Sequence, residues 1–281
     1  DNRGIDLNIT HRNHLRDFNY SIAGNLTWAR NKVIDLLEPA GEKNNPRQRS
    51  TGHSMSQYFG YEALGLFQSD EEANNWPQPQ FGKAKAGDIK YKDVNGDGVI
   101  DSYDKVVGVG HPNVPEIVYG FGLNIEYKGF YASVFFQGTG NCSVLLGGNT
   151  PEGWYPFAWG VDQSSYRTFA LDRWTESNPS QNVLMPRLHK DNANNANNQV
   201  ASTWWLRNGG FLRLKNMEFG YQLPKQFLKK FNVQAARIYV MGYNLALWDN
   251  LKYFDPEAGN ANGGNVYPKN RTFTLGIDFT F

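Results

Sequence analysis

The sequence predicts an all-β protein, an antiparallel transmembrane β-barrel present in part. Three observations predict it. First, the stretch Arg271 to Phe281 alternates strictly: Phe273, Leu275, Ile277, Phe279 and Phe281 are apolar, while Thr272, Thr274, Gly276, Asp278 and Thr280 are small or polar. Period-2 alternation makes a strand with one oily and one wet face. The stretch is also as long as a tilted membrane-spanning strand of about 9–11 residues. Second, six earlier segments read as strands in the same way. Third, the joins between the segments alternate between short and long, as the two sides of an outer-membrane barrel do.

The strands follow in order. Gly4 to Thr10 opens the series. In the second strand Phe18, Tyr20, Ile22, Gly24, Leu26 and Trp28 oppose Asn19, Ser21, Ala23, Asn25 and Thr27. In the third, Tyr119, Phe121, Leu123, Ile125 and Tyr127 oppose Gly120, Gly122, Asn124 and Glu126. Phe130 to Gln137, Phe211 to Tyr221 and Arg237 to Asn244 are shorter or noisier. With Thr272 to Phe281 they make seven.

Short joins follow Thr10, Tyr127 and Tyr221. Long ones span about 31–116, 139–206 and 246–270. Counting back from Phe281 as a periplasmic end places every long loop outside. Bacterial barrels close with an even number of strands, so seven predicts the carboxyl-terminal portion of a larger barrel. A further short strand between Tyr58 and Phe67 would make eight but upset the inside–outside order. Trp28, Tyr119, Tyr127, Tyr221 and Tyr243 lie near strand ends, where interfacial aromatic belts sit. Asn192 to Asn198 reads as a flexible loop tip. Pro224 to Phe231 reads as a short helical turn with Phe227, Leu228 and Phe231 on one side.

Composition agrees. Among 281 residues, 28 Lys and Arg meet 27 Asp and Glu, a net charge of +1 that gives no support for nucleic-acid binding. A single cysteine, Cys142, excludes an internal disulfide framework. No apolar run approaches the length of a membrane helix. The opening Asp1-Asn-Arg-Gly is not that of a signal peptide.

The sharpest local motif is Asp93-Val-Asn-Gly-Asp-Gly-Val-Ile-Asp-Ser-Tyr-Asp104. It has the spacing of an EF-hand loop, with oxygen donors at regular intervals around a turning glycine. Asp93, Asn95, Asp97, the Val99 carbonyl, Asp101 and Asp104 would hold a structural calcium ion, and Gly98 would make the turn. The final Asp is shorter than the usual Glu, and no clear helices flank the loop. A plain turn held by Asp and Gly, without an ion, is the competing reading.

A second constellation is aromatic. Trp154, Tyr155 and Trp159, with Phe157 and Tyr166 near them, are candidates to stack on a substrate. Trp174, Trp204 and Trp205 follow further on. Packing between loops is the plainer role for such rings. His11 and His14 form only a loose pair, and Asp255 and Glu257 are the nearest approach to a catalytic carboxylate pair. No phosphate loop, nucleophile elbow or dinucleotide fingerprint occurs, so no enzyme is expected.

Several stretches together resemble the SusC/RagA-like, TonB-linked outer-membrane transporters of Bacteroidetes. They are Asn25-Leu-Thr-Trp-Ala-Arg-Asn-Lys-Val33 and the acidic stretch from Gly87 to Asp101. Trp205-Leu-Arg-Asn-Gly-Gly-Phe-Leu-Arg-Leu-Lys-Asn216 with Gly220-Tyr-Gln-Leu-Pro224 is a third. Tyr239 to Trp248 with Asp255-Pro-Glu257, and Tyr267 to Phe273, complete the set. The resemblance covers essentially the whole chain. It implies about the last third of a 22-stranded plugged barrel, with the plug and the TonB-contacting segment elsewhere. It implies oligosaccharide or peptide import, a capping SusD-like surface lipoprotein, drive from the TonB complex, and contact with lipid and the rest of the barrel. The alternative from another class is a soluble, calcium-binding β-sandwich that recognises carbohydrate. Its strands would usually run only about five or six residues.

Overall fold

Alternating large apolar and small polar side chains favour long, flat, two-faced strands, and the chain forms them. The computed structural model describes residues 1–39, 47–146, 168–188, 196–258, 267 and 269–281. Its strands are β1 (Asn2–Leu15), β2 (Phe18–Asn31), β3 (Tyr58–Gly60), β4 (Ala63–Leu66), β5 (Gln78–Pro79), β6 (Ile89–Tyr91), β7 (Val99–Ile100) and β8 (Val106–Val109). They continue with β9 (Ile117–Tyr127), β10 (Phe130–Gly140), β11 (Ser143–Leu145), β12 (Leu206–Asn208), β13 (Phe211–Gln222), β14 (Ala235–Asp249) and β15 (Thr272–Thr280).

Seven of these form one antiparallel sheet in the order β1-β2-β9-β10-β13-β14-β15. They are the seven strands read from the sequence, most of them extended at the ends. The sheet is open, with β1 and β15 at its edges. Arg16 and Asp17 alone join β1 to β2, and Arg16 takes a φ of 55° to make that turn.

Register sorts the residues onto two faces. Leu7 faces Leu26, Tyr119 faces Gly138, Phe130 faces Tyr221, and Val240 faces Leu275. Together these rows make one continuous apolar face, much of it exposed. Leu275 is 74 % and Phe273 73 % exposed. The opposite face carries Asp6, Asn19, Ser21, Asn124, Glu126, Glu218, Arg237 and Asp278. Here Arg237 bonds Asp278 and Glu218 at 2.7 and 3.2 Å. An apolar face of this extent matches hydrocarbon, not water. Among the described residues, no second sheet covers it.

Glycines on the polar face admit rings from neighbouring strands. Tyr131 lies across Gly220, and Tyr239 across Gly276. A Cβ on Gly220 would meet Tyr131 Cζ at 2.4 Å, and one on Gly276 would meet Tyr239 Cζ at 2.2 Å.

The Tyr58–Phe67 region does not add a strand to the wall. It splits into β3 and β4, which pair with β8 and β6 inside the first long loop. These strands are only three and four residues long, too short to span a bilayer. The alternation of short and long joins along the wall is therefore kept.

The main buried core lies in the long loops rather than in the wall. Tyr61, Leu66, Ile89, Tyr91 and Ile100 come from the first loop. Val144, Leu146, Phe169, Trp174, Met185 and Trp205 come from the second, and Leu251 from the third. Burial of such large side chains contributes roughly 1.5–3 kcal/mol each, so the three loops are held as one loop body. Near the opposite end, Lys225–Leu228 forms a helical turn that continues to Phe231. Of its three apolar residues only Leu228 is buried.

Candidate functional site

The functional geometry centres on the place where the loop body meets the polar face. A β-bulge starts it. Around Lys215 the register of β13 slips against both β10 and β14, leaving Lys215 unpaired in the ladders. Bulges re-aim side chains, and this one lets Arg213 and Lys215 both reach the third loop. Arg213 is 3 % exposed. Its Nη2 donates to Asp255 Oδ1 at 2.6 Å. Its Nε lies 2.9 Å from Glu257 Oε2, without the alignment of a hydrogen bond. Lys215 and Lys269 reach Glu257 at 3.0 and 2.7 Å.

Burial pushes the Glu257 carboxyl up. The hydrogen bonds from Lys269 and Lys215 and the charge of Arg213 outweigh it and hold the group below the usual carboxylate range. Asp255 and Glu257 are thus fully committed to an ionic latch, which is why they are no catalytic pair.

Beside the latch lies a cavity of about 410 Å³. Tyr58 and Asn113 of the first loop, Gln137 and Thr139 of β10, Cys142, Phe211 and Glu257 line it. All three long loops and the wall contribute. Burial pushes the Cys142 thiol up, with a weak opposing bond to Thr139.

The first and second long loops are also tied by a buried polar knot. Asp88 accepts from Arg187 Nε and Nη2 at 3.1 and 2.7 Å and from Asn198 Nδ2 at 2.8 Å. Asn198 Oδ1 accepts from Ile89 N at 2.9 Å, and the Asn198 carbonyl accepts from Trp205 Nε1. Asn197 donates to the Ile89 carbonyl, and its own carbonyl accepts from Tyr91. Asp88, Asn197 and Asn198 are all 0 % exposed. The expected flexible tip is therefore corrected at Asn197 and Asn198: buried amides that satisfy backbone groups across two loops are fixed. Residues 192–195 lie outside the described residues.

The acidic loop is compact. Asp93 accepts from Gly96 N and Gly98 N at 2.6 and 2.9 Å. Asp97 accepts from Val99 N and Asn95 Nδ2. Asp101 caps Tyr103 N. Asp104 is 0 % exposed, and its oxygens accept from Val94 N, Asn95 N and Asp101 N.

Asp93, Asn95, Asp97, Asp101 and the Val99 carbonyl thus share one turn, while Asp104 is occupied as an internal anchor. Among the described residues, no group of three or more His, Cys, Asp and Glu side chains is gathered as a metal site. The donors that fit an oxygen-seeking cation are the outer ones, each with lone pairs to spare. Burial and the charges of Asp101 and Asp104 push the nearby Tyr61 hydroxyl up to about 12, so it stays protonated.

Trp154, Tyr155 and Trp159, like Phe157 and Tyr166, lie outside the described residues. Trp174 and Trp205 are core residues, 4 % and 1 % exposed, and Trp204 packs against them. The sequence reading passed over Arg213, Asp88 and Asn198. A buried charge leaves no periodic signal, although the closely spaced Arg213-Leu-Lys215 and Asp255-Pro-Glu257 pairs are complementary in sign.

Comparison with known proteins agrees with this architecture. TonB-dependent receptor P26 of Formosa agariphila is 31 % identical over 307 residues, covering all of this chain and 29 % of that protein. TonB-dependent receptor P3 of the same organism is 27 % identical over 309 residues, with the same coverage. A structure of the RagAB peptide importer in the closed-closed state superposes with a TM-score of 0.70 at 24 % identity, over all of this chain and 29 % of that one. A structure of the RagAB peptide transporter gives 0.69 at 23 %, again over the whole chain and 29 % of the other. No protein-family model matches. The chain spans less than a third of the length of these relatives, which are named as receptors and transporters, not enzymes. With its seven-stranded two-faced wall and three long loops, the chain is similar over its whole length to part of the TonB-dependent receptors and shares the fold of part of the RagAB transporter.

Proposed function

We propose that the protein to which this chain belongs is an outer-membrane nutrient importer, a TonB-dependent SusC-like transporter of oligosaccharides or peptides. This chain supplies barrel wall and outer loops. The observation that carries the reading is the exposed apolar face running across all seven strands, backed by a charged and hydroxylic face. Between its two edge strands such a wall satisfies its backbone within the sheet, and it offers lipid a hydrocarbon face. A soluble carbohydrate-binding sandwich would cover that face with a second sheet.

On this reading the polar face looks into the pore, where a plug supplied elsewhere in the protein couples to the TonB complex. The loop body faces outward and is the surface on which a SusD-like lipoprotein sits. The names of the RagAB structures favour peptide as cargo; the Formosa names carry no cargo. We include a structural calcium ion at Asp93, Asn95, Asp97, the Val99 carbonyl and Asp101, with Asp104 holding the loop from within. Aromatic stacking of cargo at Trp154, Tyr155 and Trp159 belongs to the same proposal.

Fractionation tests the membrane role. The full protein should enter the outer-membrane fraction and require detergent for extraction. Recovery as a soluble, monodisperse species without detergent would refute it. Deleting the gene should abolish growth on the cargo as sole nutrient.

A further inference from the structure

We propose that the cavity between wall and outer loops is a subsite for an uncharged, hydrogen-bonding segment of the cargo, either a sugar ring or a stretch of peptide backbone. The proposal rests on the importer reading above. At about 410 Å³ the cavity falls in the range of small-molecule sites. It lies where the loops meet the polar face, at Gln137 and Thr139 of β10. Its walls come from four separate parts of the chain, so its shape depends on the closed latch.

The lining selects by charge. Glu257 is its one carboxylate, and that group already bonds Lys215 and Lys269 beside Arg213. Each of those cations faces a carboxylate in turn, so neither sign of charge is left over for a ligand. A charged group entering would lose water without gaining a counter-ion, which is costly. A hydroxyl or amide loses much less and finds partners. Among the described residues, the side-chain amides of Gln137 and Asn113 make no hydrogen bond with the protein. Each offers two donors and an acceptor. The buried Phe211 ring gives an apolar surface for the carbon face of a sugar or for a peptide methyl. Burial keeps the Cys142 thiol neutral, so the thiol adds no charge.

Cys142 also supplies the reporter. The full receptor in detergent is treated with methyl methanethiosulfonate, and modification of Cys142 is followed by peptide mass mapping. Four probes are compared: maltotriose and acetyl-trialanine amide, which are neutral, and trigalacturonate and trilysine, which are charged. At least one neutral probe should slow modification several-fold, and which one does so separates sugar from peptide. The charged probes should not. Thr139→Trp, which fills the cavity, should remove the protection. Gln137→Leu, which keeps the size and loses the amide, should weaken it and serves if Thr139→Trp does not assemble. The subsite is overturned if no neutral probe protects, if charged probes protect equally, or if protection survives in the assembled variant. Growth of the deletion strain reads the importer role separately. A growth defect with Cys142 unprotected removes only the subsite, whereas unimpaired growth removes the importer reading itself.

Discussion

Arg213 of the wall and Asp255 of the third long loop are joined by a 2.6 Å bond from Nη2 to Oδ1, with Arg213 almost wholly buried. A desolvated guanidinium is costly unless carboxylates surround it. Asp255 and Glu257 do so here, and the loop that carries them is thereby held down on the wall. Replacing Arg213 by Met leaves Glu257 with Lys215 and Lys269 and takes from Asp255 its ion-pair partner. Removing one partner of a buried pair costs about 3–5 kcal/mol. The low end is expected, because Glu257 keeps its lysines. Limited proteolysis around residues 250–258 should accelerate sharply while the wall stays protected. An unchanged cleavage rate would show that the latch does not hold the loop.

The latch also has a pH dependence of fixed sign. The folded-state pKa of Glu257 lies below its ordinary value of 4.5. A depressed carboxyl contributes stability that is complete above its unfolded-state pKa and is lost as pH falls through the folded one. Loop cleavage should therefore be flat from neutral pH down to the ordinary carboxylate range and rise only below it. A rise centred near pH 6 would point to histidine instead.

Asn198 ties two loops that are far apart in sequence. Asn198→Ala strips partners from Ile89 N, the Arg187 carbonyl and Asp88, all in or beside the buried knot. A buried group left unpaired costs about 1–3 kcal/mol. Hydrogen exchange should quicken in both loops together, around residues 88–91 and around residues 185–205. Faster exchange confined to the second loop would mean that the two do not form one body.

On the calcium proposal, the acidic loop divides two roles that its sequence merges. Asp93→Asn and Asp97→Asn should weaken calcium binding, read by terbium luminescence of the receptor in detergent, and should cost the calcium-free loop only one solvent-exposed bond each. Asp104→Asn should loosen the loop with or without calcium, because its two oxygens hold three backbone amides. If Asp104→Asn affected only the calcium-loaded protein, Asp104 would be a ligand and the assignment of an internal anchor would fail.

What the sequence made legible follows from periodicity. The alternation at Phe273 to Phe281 and at Phe18 to Trp28 survives in the structure because one face of each strand must meet lipid. That demand is written into every second residue. The alternating loop lengths carried the topology. Loop architecture has no such period. Nothing local marks Asn198 as buried, or Arg213 as the partner of Asp255, because those contacts bring together residues 42 to 110 positions apart. The short strand read at Tyr58 to Phe67 was extended as expected, but its partners lay within the loop, a choice that pairing geometry makes and composition does not.

The two faces of the terminal strand give the most direct test of the membrane assignment. Leu275 lies opposite Val240 on the apolar face, and Thr274 lies opposite Met241 on the other. A lysine near the middle of a lipid-facing strand costs about 2–4 kcal/mol, whereas the pore side tolerates charge. Leu275→Lys should therefore destabilise the full receptor strongly in an unfolding titration from bilayers, and Thr274→Lys should be mild. The contrast matters more than either value, because the residues are adjacent and share the same backbone. If both substitutions cost the same, the two faces are not in different solvents, and the wall does not cross a membrane.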